Sequence, residues 1–194
     1  MKPLNLDAIN SADIRGEKTC IRPMRLDEAS LLYPWTLDPD VRPFWGTDSR
    51  YEDLDDFLRQ MEPARHYFDG SQPELGRNFI IEADDTVIGM VNTNRIDIRH
   101  RSTEIDIVIG HRDYRERGYG SDALRAFLRF LFDDIGLHRV WLGTYEYNAR
   151  ARRVYERLGF IQEGVMREDE YLDGRWINTV IYGILEHEFL RDSQ

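Results

Sequence analysis

The sequence is short of cysteine, of long apolar runs and of basic charge. Cys20 is the one cysteine in 194 residues, so no intramolecular disulfide can form and a reducing, cytoplasmic setting is expected. No apolar run reaches the length of a membrane-spanning helix, and the first residues lack the apolar region of a signal peptide. We therefore expect no membrane partner.

Acidic residues outnumber basic ones by 36 to 26, which gives a formal net charge of −10. A negatively charged protein is repelled by the phosphate backbone, so we expect no nucleic-acid partner. The same charge is compatible with a cationic substrate.

The sequence also gives no signal for three common kinds of catalytic site. The five histidines are scattered, with no cysteine partners and no H-x-x-x-H spacing, so no metal site is predicted. The Walker A spacing is absent, so an NTPase is not expected. Cys20 has no histidine neighbour in the sequence, so nothing predicts a cysteine nucleophile.

The pattern of elements predicts a single α/β domain with a mixed, mostly antiparallel sheet flanked by helices. The length suits one domain with a sizeable core. The predicted order is strand, two helices, three strands, helix, strand, helix and two strands. The strand–helix–strand crossover in the middle requires parallel pairing there. We assign residues 1–18 to a loose N-terminal lead-in and residues 19–190 to the domain.

Local signals predict where several elements begin and end. Asp27 is expected to cap the first helix, and Asp84-Asp85 to form the turn of an antiparallel hairpin. Gly136 is expected to end the central helix, and Asp173-Gly174 to form the turn of the last hairpin. The aromatic and acidic loop 38–46 is predicted either to plug the edge of the core or to form a substrate wall.

The stretch Arg115–Gly120, which reads RERGYG, follows an apolar strand and opens a strongly amphipathic helix. Gly118 and Gly120 leave the N–H groups of the first turn accessible, and the helix dipole adds positive charge there. Arg115 and Arg117 add charge at the rim. The stretch therefore predicts a pocket for phosphate, and a pyrophosphate suits it best.

Three interpretations of these glycines compete. The first is a helix start that needs backbone freedom. The second is a dinucleotide fingerprint, because Gly118–Ala123 fits G-x-G-x-x-[GA]; however, that motif should follow its strand almost at once, and the charged segment His111–Arg117 intervenes. The third is the pattern R-x-x-G-x-G, which resembles the acyl-CoA pyrophosphate loop of the GNAT superfamily of N-acetyltransferases.

The rest of the chain strengthens the third interpretation. Asn148–Phe160 reads NARARRVYERLGF and resembles the family pattern N-x-x-A followed by Y-E-x-L-G-F. The resemblance runs from about Thr19 to Phe189 and implies the GNAT fold. The closing strand, hairpin and Tyr182–Phe189 are similar to the branch that holds ribosomal-protein N-terminal and spermidine acetyltransferases.

The resemblance implies acetyl-CoA as co-substrate, with no metal. Backbone groups of Val108 and Ile109 would run beside the pantetheine arm as an added strand. Asn148 would hydrogen-bond the same arm, although a plain helix N-cap also explains it and both roles can hold together. Amides in the glycine stretch would bind the pyrophosphate, with Arg115 at the rim; this set comprises Arg117, Gly118, Tyr119, Gly120 and Ser121.

The resemblance also implies two catalytic residues. Tyr155 would act as general acid towards the CoA sulfur, although a tyrosine on an apolar helix face is usually a core residue. Glu104 would take the proton of the ammonium group directly or through water, with Asp106 as the alternative. Both carboxylates leave one face of their strand, and a charged face can also be merely solvated.

The implied function is direct transfer of an acetyl group from acetyl-CoA to a primary amine. The acceptor would be a polyamine-like small molecule or a protein N-terminus, with an aminoglycoside or another amino-sugar as an alternative. A non-catalytic CoA-binding sensor is the alternative of a different class, and a dinucleotide enzyme comes third. The resemblance further implies a homodimer.

Overall fold

The computed structural model describes residues 3–44, 51–172 and 174–189. Its strands are β1 (Ile14–Arg15), β2 (Cys20–Pro23), β3 (Arg77–Ala83), β4 (Thr86–Thr93), β5 (Ser102–Ile109), β6 (Arg139–Tyr145), β7 (Ile161–Leu172) and β8 (Arg175–Leu185). Its α-helices are α1 (Tyr33–Leu37), α2 (Leu54–Met61), α3 (His66–Asp69), α4 (Tyr119–Arg129), α5 (Ala149–Arg157) and α6 (Glu186–Phe189). Short 3-10 helices cover Leu6–Ser11, Leu26–Leu32, Arg42–Phe44, Glu62–Ala64, Pro73–Leu75 and Arg112–Tyr114, and a π-helical turn, Phe130–Ile135, continues α4.

The eight strands form one sheet in the order β1-β2-β3-β4-β5-β6-β8-β7. Among the described strands, β5 and β6 are the parallel neighbours, and the other pairs are antiparallel. The crossover through α4 explains the parallel pair, because a strand that returns through a helix enters the sheet in the same direction. The predicted mixed, mostly antiparallel sheet is confirmed.

Each face of the sheet is covered by its own apolar layer. Phe79 and Ile81 pack with Leu124 and Phe127 of α4, whereas Ile80 packs with a second cluster. That second cluster is built from the helices that precede β3; its aromatic members are Trp35, Phe57 and Phe68. The alternation follows from the two-residue period of a strand, and it makes the sheet the centre of the core.

Residues 6–15 are not a loose lead-in. Ile9 and Ile14 are buried in the main core, and β1 pairs with β2. The sequence does not signal this packing, because the apolar residues are few and match neither the helical nor the strand period over a useful length.

Asp27 is not the cap that the sequence predicted. It lies in the first turn of the 3-10 helix Leu26–Leu32, and the carboxylate of Glu28 instead accepts the backbone N–H of Arg25 at 2.9 Å. Asp84 and Asp85 do form the β3–β4 turn, both with positive φ. Gly136 ends the central helix with φ +85°. In the last hairpin Gly174 has φ +82°, whereas Asp173 lies outside the described residues.

Candidate active site

The sheet opens between β5 and β6. The two strands pair from Ser102 to Glu104, opposite Arg139 to Trp141, and no pair follows although β5 continues to Ile109 and β6 to Tyr145. On its other side β5 stays paired with β4 as far as Ile109. The opening leaves backbone N–H and C=O groups of two strands without a strand partner, and such groups can pair with an extended ligand.

A cleft of about 620 Å³ lies at this opening. Five of the site residues named from the sequence line it: Glu104, Asp106, Val108, Asn148 and Tyr155. Aromatic side chains form much of the remaining wall: Phe44, Phe68, Tyr67, Trp141 and Tyr145. The strand β5 and the helix α5, far apart in sequence, therefore bring the predicted acid, base and amide to one cavity.

Glu104 and Asp106 are on the same face of β5, as predicted. Burial, and secondly the charge of Asp106, raises the pKa of Glu104. Asp106 is exposed, and its carboxylate accepts the side-chain N–H of Asn94 at 3.0 Å. The Tyr67 hydroxyl in turn contacts the Asn94 Oδ1 at 3.4 Å. The less exposed of the two carboxyl groups is thus the one whose pKa is raised.

Tyr155 reaches the cleft from α5. Its ring packs 5.9 Å from Phe160 and 5.8 Å from Tyr182, and only 7% of the residue is exposed. Burial, then the negative charge of Asp106, raises the pKa of its hydroxyl far above the usual range. The phenol therefore stays protonated at neutral pH and is available as a proton donor.

Asn148 is held by two contacts that fix its side chain. Its Oδ1 accepts the backbone N–H of Ala151 at 3.2 Å, which caps α5 as predicted. Its Nδ2 donates to the Thr144 hydroxyl at 3.2 Å, at the end of β6. An amide nitrogen carries two N–H groups, so one donor remains for a ligand in the cleft.

The glycine loop begins α4. Gly118 is the N-cap with φ +88°, a left-handed conformation that glycine adopts without strain. The N–H groups of Tyr119, Gly120 and Ser121 fall in the first turn and have no acceptor within the helix. They are therefore available at the helix start where the sequence predicts an anion-binding site, and Ile109 ends the strand beside it.

Lys18 is a candidate ligand-binding residue, although the sequence did not indicate this role. Asp122 in the first turn of α4 accepts the N–H groups of Glu17 and Lys18 at 2.9 and 3.0 Å, and the Thr19 hydroxyl at 2.7 Å. These bonds hold the β1–β2 turn against the helix. The Lys18 Nζ consequently lies 3.2 Å from the carbonyl oxygen of Arg117, beside the glycine loop.

Arg115 is not a free charge at the rim. Its side chain is only 9% exposed, and it donates to the carbonyl oxygens of Ile109, at 3.1 Å, and Gly110. A further N–H group meets the carboxylate of Asp38 at 2.7 Å. The guanidinium thus binds protein groups, whereas the exposed Arg117 keeps its side chain at the loop surface.

A second pair of carboxylates closes the far wall of the cleft. In β7 the register skips from Met166 opposite Thr179 to Glu170 opposite Ile177, and Asp169 and Glu170 beside this irregularity line the cavity. The Tyr145 hydroxyl donates to the Glu170 carboxylate at 2.8 Å. Phe44 packs 6.2 Å from Tyr145, so loop 38–46 contributes a wall through Phe44, whereas Trp45 lies outside the described residues.

The family whose description is "Acetyltransferase (GNAT) domain" matches residues 18–161. The chain belongs to the GNAT acetyltransferase family. The matched residues include β5, the glycine loop and the helix α5, and the enzyme class is N-acetyltransferase.

Relatives of this GNAT protein include a spermidine acetyltransferase and a protein named as a proposed ribosomal N-acetyltransferase. It is 26% identical to spermidine N(1)-acetyltransferase of Vibrio cholerae serotype O1 over 156 residues, which cover 80% of this chain and 86% of that protein. It is 29% identical, over 125 residues, to a Bacillus subtilis protein named as a proposed ribosomal N-acetyltransferase, covering 64% of this chain and 66% of that protein.

The fold is similar to that of a crystal structure of spermidine N-acetyltransferase from Vibrio cholerae in complex with CoA and spermine. The TM-score is 0.78 at 22% identity, and the match covers 89% of this chain and 98% of the other. This likeness confirms the GNAT fold.

Two negative findings concern the described part of the chain. No helix there is long and apolar enough to span a membrane. No group of three or more histidine, cysteine, aspartate or glutamate side chains there is arranged to hold a metal ion.

Proposed function

We propose that this GNAT protein transfers the acetyl group of acetyl-CoA to a primary amine of a small polycationic acceptor, of which spermidine is the type. The observation that carries the proposal is the charge of the cleft. Four carboxylates line it, Glu104 and Asp106 on one wall and Asp169 and Glu170 on another, and the described lining residues include no lysine, arginine or histidine.

Such a cavity favours a ligand with more than one positive charge. An ammonium group about 4 Å from a carboxylate gains about 1 kcal/mol in water and more where water is partly excluded. The aromatic walls add cation–π attraction, worth about 0.5–1 kcal/mol at exposed sites. The spermidine acetyltransferase relatives support the same acceptor class.

The residues of the chain supply two of the proton transfers that the reaction needs. Glu104, whose pKa is raised, takes a proton from the acceptor ammonium so that the nitrogen lone pair is free, and passes it on to solvent. As the amine nitrogen forms its bond to the thioester carbon, the carbon–sulfur bond breaks, and the second proton of the nitrogen leaves through water to solvent. Tyr155 donates its hydroxyl proton to the departing sulfur and is reprotonated from solvent.

The residues present fit acetyl-CoA, which supplies the activated acetyl group. The first-turn N–H groups of α4 suit its pyrophosphate, and Lys18 and Arg117 add positive charge there. On the side of the opening the backbone of β5 near Val108 has no strand partner and suits the amide groups of its pantetheine arm, with the remaining N–H of Asn148 opposite, whereas the carbonyl oxygen of the next residue, Ile109, is already bound by Arg115.

A panel of acceptors tests the proposal. The protein is incubated with acetyl-CoA and spermidine, spermine, a peptide with a free N-terminus or an aminoglycoside, and released thiol is followed. We expect the highest kcat/KM with a polyamine. A preference for the peptide or the aminoglycoside would replace the acceptor, and CoA binding with no turnover of any amine would favour a sensor module.

A charge-neutral variant separates a specific cleft effect from the general acidity of the protein. Asp169→Asn should raise the KM for spermidine roughly fivefold, the effect of about 1 kcal/mol, and should leave kcat nearly unchanged. Asp27→Asn is the matched control, because Asp27 is exposed, pairs with Arg25 and lies outside the cleft. Equal effects of the two variants would contradict the acidic cleft as the acceptor site.

A further inference from the structure

Four contacts join residues 35–40, which precede Phe44, to residues 110–115, which precede the glycine loop. The indole of Trp35 in α1 packs on the backbone of Gly110, where any side chain would collide with it. Asp38, directly after α1, binds Arg115 at 2.7 Å. Asp40 binds the exposed Arg112 at 3.1 Å and also lies 3.6 Å from Arg115.

The pair Arg115–Asp38 is the buried member of this set. The side chains are 9% and 21% exposed, so water screens the pair less than it screens the open Arg112–Asp40 pair. Arg115 also donates to the carbonyl oxygens of Ile109 and Gly110, and its Nη1 lies 3.6 Å from the carboxylate of the more exposed Asp40. Its guanidinium therefore fixes the end of β5, the start of the glycine loop and Asp38 relative to one another.

Asp38 in turn organises the segment that carries Phe44. Its carboxylate accepts the N–H of Asp40 at 2.9 Å, and its carbonyl oxygen accepts the N–H groups of Val41 and Arg42 at 3.0 and 2.8 Å. The 3-10 helix Arg42–Phe44 follows at once, and Phe44 packs against the aromatic wall of the cleft. The carboxylate of Asp38 thus connects Arg115 to the wall of the cleft that Phe44 helps to form.

We propose that Arg115 and Asp38 are a positioning pair that couples occupation of the glycine loop to the order of residues 38–44. The inference rests on the proposed binding of acetyl-CoA at that loop. A ligand that holds residues 115–121 in one conformation holds Arg115 with them, and Arg115 then restrains Asp38 and the wall beyond it. The consequence is positive coupling, in which CoA prepares the acceptor side of the cleft.

Amide hydrogen exchange tests the coupling without knowledge of the acceptor. In the wild-type protein, saturating CoA should slow exchange in residues 38–44 roughly tenfold, within the usual range of coupling factors. Asp38→Asn keeps an oxygen for the Asp40 N–H but removes the charge that Arg115 holds. There CoA should still protect the glycine loop, while residues 38–44 should exchange at the same rate with and without CoA.

Two further variants keep the result interpretable. Arg115→Lys retains the charge but cannot reach both carbonyl oxygens and the carboxylate, so it should lose the coupling as well. Asp27→Asn, which breaks an exposed ion pair elsewhere, should keep the wild-type tenfold effect.

Failure of the pair and failure of the proposed function give different results. Full protection of residues 38–44 in Asp38→Asn, or no protection in a wild-type protein that binds CoA, would overturn the positioning pair alone. A wild-type protein that does not bind CoA would overturn the proposed function and the pair with it.

Discussion

Glu104 combines partial burial with a like-charged neighbour, and both effects raise its pKa above the usual value of 4.5. Activity that depends on its carboxylate should therefore fall as the pH drops through this raised pKa. Glu104→Gln should lower kcat/KM by roughly 10²–10⁴-fold and should remove that acid limb. A pH profile of both proteins checks this, and an unchanged limb in the variant would assign it to another group.

The raised pKa of Glu104 also predicts in which direction the stability of the protein changes with pH. A group whose pKa is higher in the folded state than in the unfolded state costs stability once the pH exceeds its unfolded value near 4.5. Wild-type stability relative to Glu104→Gln should hence decrease as the pH rises from 4.5 through the raised pKa, and then level off. Denaturant unfolding of both proteins at pH 4 and pH 8 measures their free energies of unfolding. If the difference between wild type and variant is the same at both pH values, the raised pKa is refuted.

Tyr155 offers a cleaner test of proton donation, because phenylalanine keeps the buried ring and its contacts with Phe160 and Tyr182. Tyr155→Phe should lower kcat roughly 10²–10⁴-fold while CoA affinity hardly changes. Steady-state kinetics and calorimetry give both numbers. A kcat near that of the wild-type protein would leave Tyr155 as a core residue.

At the scale of elements, the β1–β2 turn delivers Lys18 to the start of α4. Lys18→Met should weaken CoA binding roughly fivefold, more at low than at high salt, because it removes one charge beside the phosphates. Thermal stability should hold, since Lys18 is exposed. Arg99→Met, an exposed change on the distant β4–β5 connection, is the control. Equal losses of CoA affinity in the two variants would show that the effect comes only from the change in net charge.

The elements also show what a sequence can predict. The end of the π-helical turn that continues α4 and the cap of α5 follow from Gly136 and Asn148. The partner of Arg115 does not follow, because Asp38 lies 77 residues away and nothing local indicates it. Asp169 and Glu170 were missed for a related reason, since an irregular register that moves them into the cleft has no clear signature in sequence.

At the scale of the whole molecule, β7 is an edge strand of 12 residues with exposed apolar side chains, among them Ile161 and Val165. Long apolar edges are candidates for pairing with another chain, and the homodimer implied by the family resemblance stays a prediction. Val165→Lys should shift the sedimentation of a dimer towards that of the monomer. A wild-type protein that is monomeric at micromolar concentration would contradict the prediction.

The opening between β5 and β6 leaves little strand pairing to hold the two parts of the sheet together. In the described chain, three residue pairs, from Ser102 with Arg139 to Glu104 with Trp141, are all the strand pairing that joins β1–β5 to β6–β8. A ligand arm that hydrogen-bonds along β5 and contacts Asn148 beyond β6 would link the two parts of the sheet. Ligand binding should then make the two halves unfold more cooperatively, so that the melting transition sharpens as well as moving to higher temperature.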